Sequence, residues 1–365
     1  MNNKLRICFF SVGFAFNRLV RLRYYEKIFP KDVEMFLITT NKYMGTKEDK
    51  YTEQWNLERT KIISMKYNPL RLPFDIRKFC KKEKIDVVTN MGHPYGGIPL
   101  IIGSIFDKRR FILYFFGDTF ETTKQDIFSK FGIKLFFRLF PYLIIARFAD
   151  KIAFVGESSY KKAPLFFMMP KRKFYCLHAP VDVQLFHPAD KKKARKELKI
   201  NDKEKIIIYV GRVTKRKHGK LLSELIKTNP NIKFIIIGKW VEKEIPKIKA
   251  KNLITFDKIP NTELFKYYSA ADLSFACHIQ GYPMGIVAEE SLACGIPVLH
   301  IKKLTAEESK AIIKIDEKNE NKKINDFFSL SETEKKKLRI EARKYAEKYL
   351  SDEVWKDKYL DFYLN

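Results

Sequence analysis

Short apolar runs alternate with amphipathic stretches along most of this chain. The runs hold four to eight residues rich in Val, Ile and Phe, which is typical of buried strands. The predicted strands cover residues 5–12, 33–39, 87–90, 111–116, 151–155, 174–177, 206–210, 234–238, 253–256, 273–277 and 298–301. Because helical patterns lie between the strands, parallel sheets are expected. At 365 residues, the chain is expected to form two α/β domains.

The segment GYPMGIVAEESLACGIPV, residues 281–298, predicts a loop, a helix, a tight turn and a strand. The helix is expected to begin at Gly285 and Ile286, where unpaired N–H groups and the helix dipole attract an anion such as phosphate. Glu290 lies one turn further on the same face, and its carboxylate can accept hydrogen bonds from a ribose. This spacing fits a nucleotide, but an ordinary helix–strand unit of a parallel sheet has the same pattern.

A second segment, KIIIYVGRVTKRKHGKLL, joins a predicted buried strand to a basic helix start. Arg212 projects from the carboxyl end of the strand 206–210, where open α/β sheets bind ligands. Lys217 follows at the start of the next helical pattern. The planar fork of an arginine and the point charge of a lysine both suit a diphosphate. Lys215 and Arg216 are interpreted instead as a solvated basic loop.

Both segments resemble the donor-binding half of family 4 glycosyltransferases, retaining enzymes with the two-domain B-type (GT-B) fold. That family shows a Gly-Arg pair with a lysine five residues after the arginine, matched here by GRVTKRK. It also shows a Glu-x7-Glu motif running into Ala-Cys-Gly-x-Pro-Val, and GIVAEESLACGIPV places Glu290 at the second glutamate. The resemblance is strong from about Ala149 to Val298. It implies two Rossmann-like parallel-sheet domains facing a cleft, with a donor site formed by Arg212, Lys217, Gly285 and Ile286 at the diphosphate and Glu290 at the ribose.

Two positions depart from the family pattern. Tyr282 stands eight residues before Glu290, where the family has its first glutamate, which contacts the donor hexose. The donor-sugar region is therefore assigned to Tyr282, Pro283 and Met284. The segment LYFFGDTFE resembles the strand that ends in a His-Gly pair near the reacting sugar, with Phe116 in place of the histidine. Asp118 is the predicted catalytic residue that contacts the reacting sugars.

The resemblance also predicts how the chain divides into domains. They are an N-terminal acceptor-side domain over residues 1–186, a charged connector over 187–200, a nucleotide-sugar donor domain over 201–347 and a C-terminal helix over 348–365. The last helix is expected to cross back and pack on the N-terminal domain. On the acceptor side, Gly13 opens the turn after the first strand and His93 lies in the turn-rich loop NMGHPYGGIP.

Positive charge is concentrated in residues 1–200, which hold 39 Lys and Arg against 19 Asp and Glu. No nucleic-acid-binding module accompanies this charge, so no nucleic-acid partner is expected. Lys130, Lys134 and Arg138 recur every four residues among phenylalanines, and charges are too frequent there for a transmembrane span. Such a helix fits the interface of an anionic membrane, and these three cations are predicted to contact it. The alternative is a helix packed in the core of the N-terminal domain.

The cysteines indicate the cellular compartment, and the acidic residues indicate whether a metal ion takes part in the chemistry. Five scattered cysteines without metal-ligand spacing fit a reduced, cytoplasmic compartment. No Asp-x-Asp motif lies in the donor half, so Lys and Arg are expected to replace a divalent ion near the diphosphate. Neither a metal nor another cofactor is therefore expected.

Together, these patterns predict a hexosyltransferase-type glycosyltransferase that moves a sugar from a UDP- or GDP-linked donor with retention of configuration. The expected acceptor is a lipid-linked or cell-surface glycan, and the expected location is cytoplasmic, peripheral on the inner face of the cell membrane. One alternative is another nucleotide-sugar enzyme such as an epimerase. The other is a non-catalytic or divergent GT-B scaffold at the membrane. Nothing in the sequence indicates an oligomeric state.

Overall fold

The structure is a computed structural model that describes residues 4–12, 16–40, 57–91, 94–115, 132–241, 245, 247–276, 285–301, 308–316 and 318–365. The chain forms two compact units. The first comprises Met1–His178 and Lys356–Asn365, and the second comprises Ala179–Trp355. The sequence suggested a boundary at residue 186, whereas the buried side chains of Val181 and Phe186 belong to a core cluster of the second unit.

The first unit is a parallel sheet with helices on both faces. Its described strands are β1 (Arg6–Ser11), β2 (Glu34–Thr40), β3 (Thr60–Met65), β4 (Val87–Asn90), β5 (Arg110–Phe115), β6 (Lys151–Phe154) and β7 (Phe174–Cys176). Its described helices are α1 (Phe16–Ile28), α2 (Leu72–Lys82), α3 (Ile98–Asp107), α4 (Gly132–Phe148) and α5 (Glu157–Phe167). The strand order is β3-β2-β1-β4-β5-β6-β7, with every pairing parallel.

The second unit repeats this construction on a smaller sheet. Its strands are β8 (Lys205–Val210), β9 (Ile232–Ile237), β10 (Leu253–Phe256), β11 (Leu273–Phe275), β12 (Val298–Ile301) and β13 (Ile312–Ile315). Its helices are α6 (Lys191–Glu197), α7 (Gly219–Thr228), α8 (Leu264–Ala270), α9 (Ile286–Ala293), α10 (Glu320–Ser329) and α11 (Glu332–Tyr345), and α12 (Asp352–Leu364) follows them. The order β10-β9-β8-β11-β12-β13 is again parallel throughout, which confirms the predicted parallel sheets.

In each sheet the strand order reverses beside one central strand. The reversal lies between β1 and β4 in the first unit and between β8 and β11 in the second. At such a switch point the connections leave toward opposite faces and open a crevice at the carboxyl ends of the strands. Each unit therefore has one place where its topology favours a ligand.

The C-terminal helix returns to the first unit, as predicted. From Lys356 onward, α12 belongs to that unit. Tyr359 and Tyr363 are buried there, and their hydroxyls lie 3.0 Å from those of Tyr114 on β5 and Tyr25 on α1, respectively. This aromatic contact closes the face of the sheet opposite to α2, α3, α4 and α5, whose apolar side chains share a separate core cluster.

The sequence prediction missed β3 and β13, and both are edge strands. One side of an edge strand has no neighbouring strand, so the side chains of that strand need not form a continuous buried run. Lys61 on β3 and Lys314 on β13 are exposed and interrupt the apolar pattern. The central strands, buried on both faces, gave the stronger signal.

Candidate functional site

The neighbouring parallel strands β8 and β9 approach each other closely at their carboxyl ends. Gly211 and Gly238 follow these strands with φ values of +125° and +148°, a region that favours glycine. A Cβ at Gly238 would overlap the Gly211 carbonyl oxygen, and a Cβ at Gly211 would lie 2.5 Å from Nζ of Lys217. Gly238 therefore permits the close approach of the two strand ends, and Gly211 leaves space for the Lys217 ammonium group directly over the end of β8.

Arg212 has a fixed backbone and an exposed side chain. Its carbonyl oxygen accepts a 2.7 Å hydrogen bond from the hydroxyl of Tyr209, a buried residue of β8. The next residue, Val213, forms a parallel bridge with Trp240. The guanidinium group is thus carried by an anchored loop at the switch point.

Lys217 closes a single 3-10 turn, Lys215–Lys217, and its N–H donates to the carbonyl of Thr214 across 3.0 Å. Burial lowers the pKa of Lys217, and the nearby Arg212 cation lowers it further. Glu290 acts in the opposite direction and raises the pKa of Lys217. Two cations and one carboxyl group are therefore close enough to affect one another's charge, which suits the site to an anionic ligand.

The helix α9 begins after β11, on the other side of the same switch point. Gly285 precedes it, and the carbonyl of Gly285 accepts a 2.8 Å hydrogen bond from the N–H of Ala288. The two earlier N–H groups, those of Ile286 and Val287, have no acceptor within the helix, and the helix dipole gives this end a partial positive charge. Ile286 is 40% exposed, so the first turn is open to a ligand.

Glu290 is buried one turn into α9. Burial raises its pKa to about 8, and the neighbouring Glu289 carboxyl adds to the rise. The Tyr268 hydroxyl donates a 3.0 Å hydrogen bond to Oε2 of Glu290, and this bond and Lys217 oppose the rise. In this environment the carboxyl group is protonated below about pH 8.

Sequence reasoning missed Tyr268. This tyrosine belongs to α8, whose pattern indicates only an amphipathic helix, and it is fully buried. Its contact with Glu290 joins positions that are far apart in the chain, so no local spacing could have revealed it. Glu289, which directly precedes Glu290 in the same helix, is 1% exposed.

Several predicted site residues lie outside the part of the chain that the structure describes. They are Gly13, His93, Phe116, Asp118, Lys130, Tyr282, Pro283 and Met284. For Lys134 and Arg138 only the helical backbone of α4 is described. The catalytic, donor-sugar, acceptor-side and membrane roles assigned to these residues stay predictions.

The described part of α4 packs in the core and also presents apolar groups outward. Tyr142 and Ile145 are buried in the core of the first unit, while Phe140, Ile144 and Phe148 are 41–48% exposed. Within the described ranges, no helix is both long and apolar enough to cross a membrane. The same ranges contain no group of three or more His, Cys, Asp or Glu side chains that could hold a metal ion.

Comparison with known proteins agrees with this geometry. Residues 190–344, all within the second unit, match the family described as Glycosyl transferases group 1. The D-inositol 3-phosphate glycosyltransferase of Segniliparus rotundus is 31% identical over 137 residues, which are 33% of this chain. That match spans only 30% of the relative's own length.

Two solved structures resemble the chain along nearly all of its length. The complex of Anabaena HepE with UDP covers 98% of this chain and 99% of its own, with a TM-score of 0.76 and 14% identity. The match to sucrose-phosphate synthase from Thermosynechococcus elongatus covers 99% of this chain and 98% of that protein's chain, with a TM-score of 0.77 and 16% identity. At these identities the likeness establishes the fold alone, and it confirms the predicted GT-B fold class.

Proposed function

We propose that this protein is a glycosyltransferase that uses a nucleotide-diphospho-sugar as donor. One observation carries the proposal: Arg212, Lys217, the start of α9 and Glu290 meet at the switch point of the second sheet. Two cations and a helix N-terminus suit a diphosphate, and a carboxyl group one turn away suits a ribose. The match to the group 1 glycosyltransferase family over the same unit supports this assignment.

The reaction requires stabilisation of the leaving nucleoside diphosphate. Arg212, Lys217 and the first N–H groups of α9 stabilise the negative charge that develops when the bond from the sugar to the diphosphate breaks. The ammonium group of Lys217 already lies over the strand end, beside Gly211, so little reorganisation is needed at the moment of reaction. Because these groups supply the positive charge, the transfer proceeds without a divalent ion.

The donor we favour is a UDP-hexose. HepE, which shares the fold, was solved in complex with UDP and with UDP-glucose. Retention of configuration follows from the resemblance of the Arg212–Lys217 and Glu290 motifs to the retaining family 4 enzymes. Asp118 remains the proposed contact with the reacting sugars, and residues 282–284 the proposed donor-sugar region.

The acceptor we favour is a lipid-linked glycan, used at the inner face of the cell membrane. The support is the basic excess of residues 1–200 and the basic, phenylalanine-rich segment 127–148. Apolar side chains exposed on the described part of α4 add to this support. The protein would then be cytoplasmic and peripheral, bound reversibly through cations and apolar groups.

The direct test is to incubate the protein with a panel of UDP- and GDP-sugars and measure the free nucleoside diphosphate released, by chromatography. A transferase releases UDP or GDP slowly by hydrolysis even without acceptor, and faster when an acceptor is added. An epimerase instead converts one sugar nucleotide into another. A scaffold binds the nucleotide without releasing product, and either of these two results would remove the proposal.

A further inference from the structure

The first unit contains a cavity of about 610 Å³ at the carboxyl edge of its sheet. Val12 follows β1 and Met91 follows β4, and both line the cavity. These two strands flank the reversal of strand order, so the cavity lies where an open α/β sheet favours a ligand. Its volume is in the range of small-molecule sites, about 300–1,000 Å³.

The described lining of this cavity is almost entirely apolar. Among the ten described residues that line it, the hydroxyl of Tyr67 is the one polar side-chain group, and none carries a carboxylate, an amide or a cation. Four of the ten are prolines, which have no backbone N–H to donate. A buried sugar hydroxyl left without a partner costs about 1–3 kcal/mol. The described lining residues therefore favour a hydrocarbon chain over a sugar.

The rim adds apolar surface and positive charge. Tyr67 and Ile98 are 38% and 47% exposed, and Leu70 between β3 and α2 is 84% exposed. The side chain of Asn68 accepts hydrogen bonds from the N–H groups of Leu70 and Arg71 at 3.0 and 3.2 Å, which fixes this turn. Arg71 is exposed beside the lining residue Leu72, so a cation accompanies the apolar opening.

Lys66 is a second exposed cation on the segment that supplies part of the lining. It is exposed and directly precedes Tyr67, on the segment that leads from β3 to α2. An apolar cavity with two exposed cations next in the chain to its lining residues Tyr67 and Leu72 is complementary to an amphiphile with one hydrocarbon chain and an anionic head. Phosphate is well suited to such cations, since both lysine and arginine bind it through charge-assisted hydrogen bonds.

We propose that this cavity binds the hydrocarbon chain of a phosphate-bearing lipid, with Lys66 and Arg71 beside the phosphate. That the lipid serves as the sugar acceptor rests on the proposed transferase function, whereas the binding itself does not. The site thus assigns a chemical class to the acceptor: a lipid phosphate whose chain enters the first unit.

The experiment measures binding of dodecyl phosphate, below its micellar concentration, by calorimetry. Butyl phosphate has the same head with too short a chain to fill the cavity, and dodecyl maltoside has the same chain without charge. The test variant is Ile98→Asp, which places a carboxylate on the lining. Ile98 is the first residue of α3, where a negative charge favours the helix, so this variant should fold.

A matched control is Ile340→Asp. Ile340 is also 47% exposed on a helix but lies on α11 of the second unit, whereas the described lining of the cavity belongs to the first unit. We expect the wild type and Ile340→Asp to bind dodecyl phosphate alike, and Ile98→Asp to bind it at least about tenfold more weakly because a charge would meet the chain. The double variant Lys66→Gln/Arg71→Gln should lose the preference for dodecyl phosphate over dodecyl maltoside.

Three results would overturn the proposal. Equal binding of butyl and dodecyl phosphate would mean that the cations bind phosphate without the cavity. Equal affinity of Ile98→Asp and wild type would place the chain elsewhere, and equal weakening in both isoleucine variants would mean non-specific detergent binding. Release of UDP from a UDP-sugar by the wild type is measured separately. A failure of the transferase function is therefore distinguishable from a failure of lipid binding.

Discussion

The hydroxyl of Tyr268 lies 3.0 Å from Oε2 of Glu290 and joins α8 to the helix that begins at the proposed diphosphate site. Tyr268 is fully buried, and its hydroxyl also lies 3.3 Å from the carbonyl of Val287. Both acceptors belong to α9, so the tyrosine fixes the rotation of the Glu290 carboxyl group relative to the helix start. We infer that Tyr268 is a positioning residue that acts through Glu290.

Replacement Tyr268→Phe should weaken UDP binding by about 2- to 13-fold, the range expected for a hydrogen bond worth roughly 0.5–1.5 kcal/mol. Because the tyrosine hydroxyl lowers the pKa of Glu290, its removal should raise that pKa. The pH at which UDP binding changes should then move upward. Calorimetric titrations between pH 6 and 9 measure both effects. A weaker affinity with an unmoved pH midpoint would mean that Tyr268 supports the fold only.

Glu290 should also make stability depend on pH. Its pKa is about 8 in the folded chain, above the ordinary value of 4.5, so the folded state holds the proton more tightly. Stability from this group is therefore fully present below pH 4.5 and is lost as pH rises toward 8. At about 1.4 kcal/mol per pKa unit, the loss is on the order of a few kcal/mol.

The matched variant for this effect is Glu290→Gln, which keeps the shape and removes the titration. Chemical unfolding from pH 5 to pH 9 should show wild-type stability falling relative to Glu290→Gln across that window. Parallel stability curves for the two proteins would contradict the burial of an ionisable carboxyl group at this position.

Sugar transfer should survive excess EDTA. Arg212, Lys217 and the start of α9 supply the positive charge that a divalent ion would otherwise supply near the diphosphate. The measurement is release of UDP after extensive chelation, with and without added Mg²⁺ or Mn²⁺. If activity disappears with EDTA and returns with either ion, the assignment of the leaving-group chemistry is wrong.

The membrane prediction concerns the three cations Lys130, Lys134 and Arg138. Replacing all three by Gln should weaken binding to anionic liposomes by roughly 3 kcal/mol at low salt, about 1 kcal/mol per cation. High salt should weaken wild-type binding in the same direction, because it screens the charges. If the triple variant unfolds and the wild type does not bind liposomes, segment 127–148 is part of the hydrophobic core of the first unit.

The strongest periodic signals in the sequence predicted the fold well. Apolar runs such as 206–210 and 298–301 correspond to central strands β8 and β12, and the tail after Lys356 packs on the first unit. The edge strands β3 and β13 escaped detection because exposed lysines within them, Lys61 and Lys314, interrupt the apolar pattern. Edge strands are specified by pairing with a neighbour, which a linear pattern does not contain.

The donor site was predictable where its residues lie at element ends. Arg212 follows a strand and Ile286 begins a helix, and both positions can be read from local pattern. Tyr268 and the apolar cavity could not be found this way. Tyr268 reaches Glu290 only after α8 and α9 have packed, and the cavity assembles from residues after β1, β3 and β4.

The most direct test of the proposed donor site is UDP affinity in Arg212→Ala and Lys217→Ala, with Lys215→Ala as control. Lys215 is an exposed cation in the same turn as Lys217, so it reports the effect of net charge alone. Hydrogen bonds to charged groups are worth about 1.5–3 kcal/mol, so each of the first two variants should bind UDP roughly 10- to 150-fold more weakly. Lys215→Ala should bind UDP nearly as well as the wild type. If both Arg212→Ala and Lys217→Ala retain wild-type affinity for UDP, the diphosphate does not bind at the end of β8 and the account is contradicted.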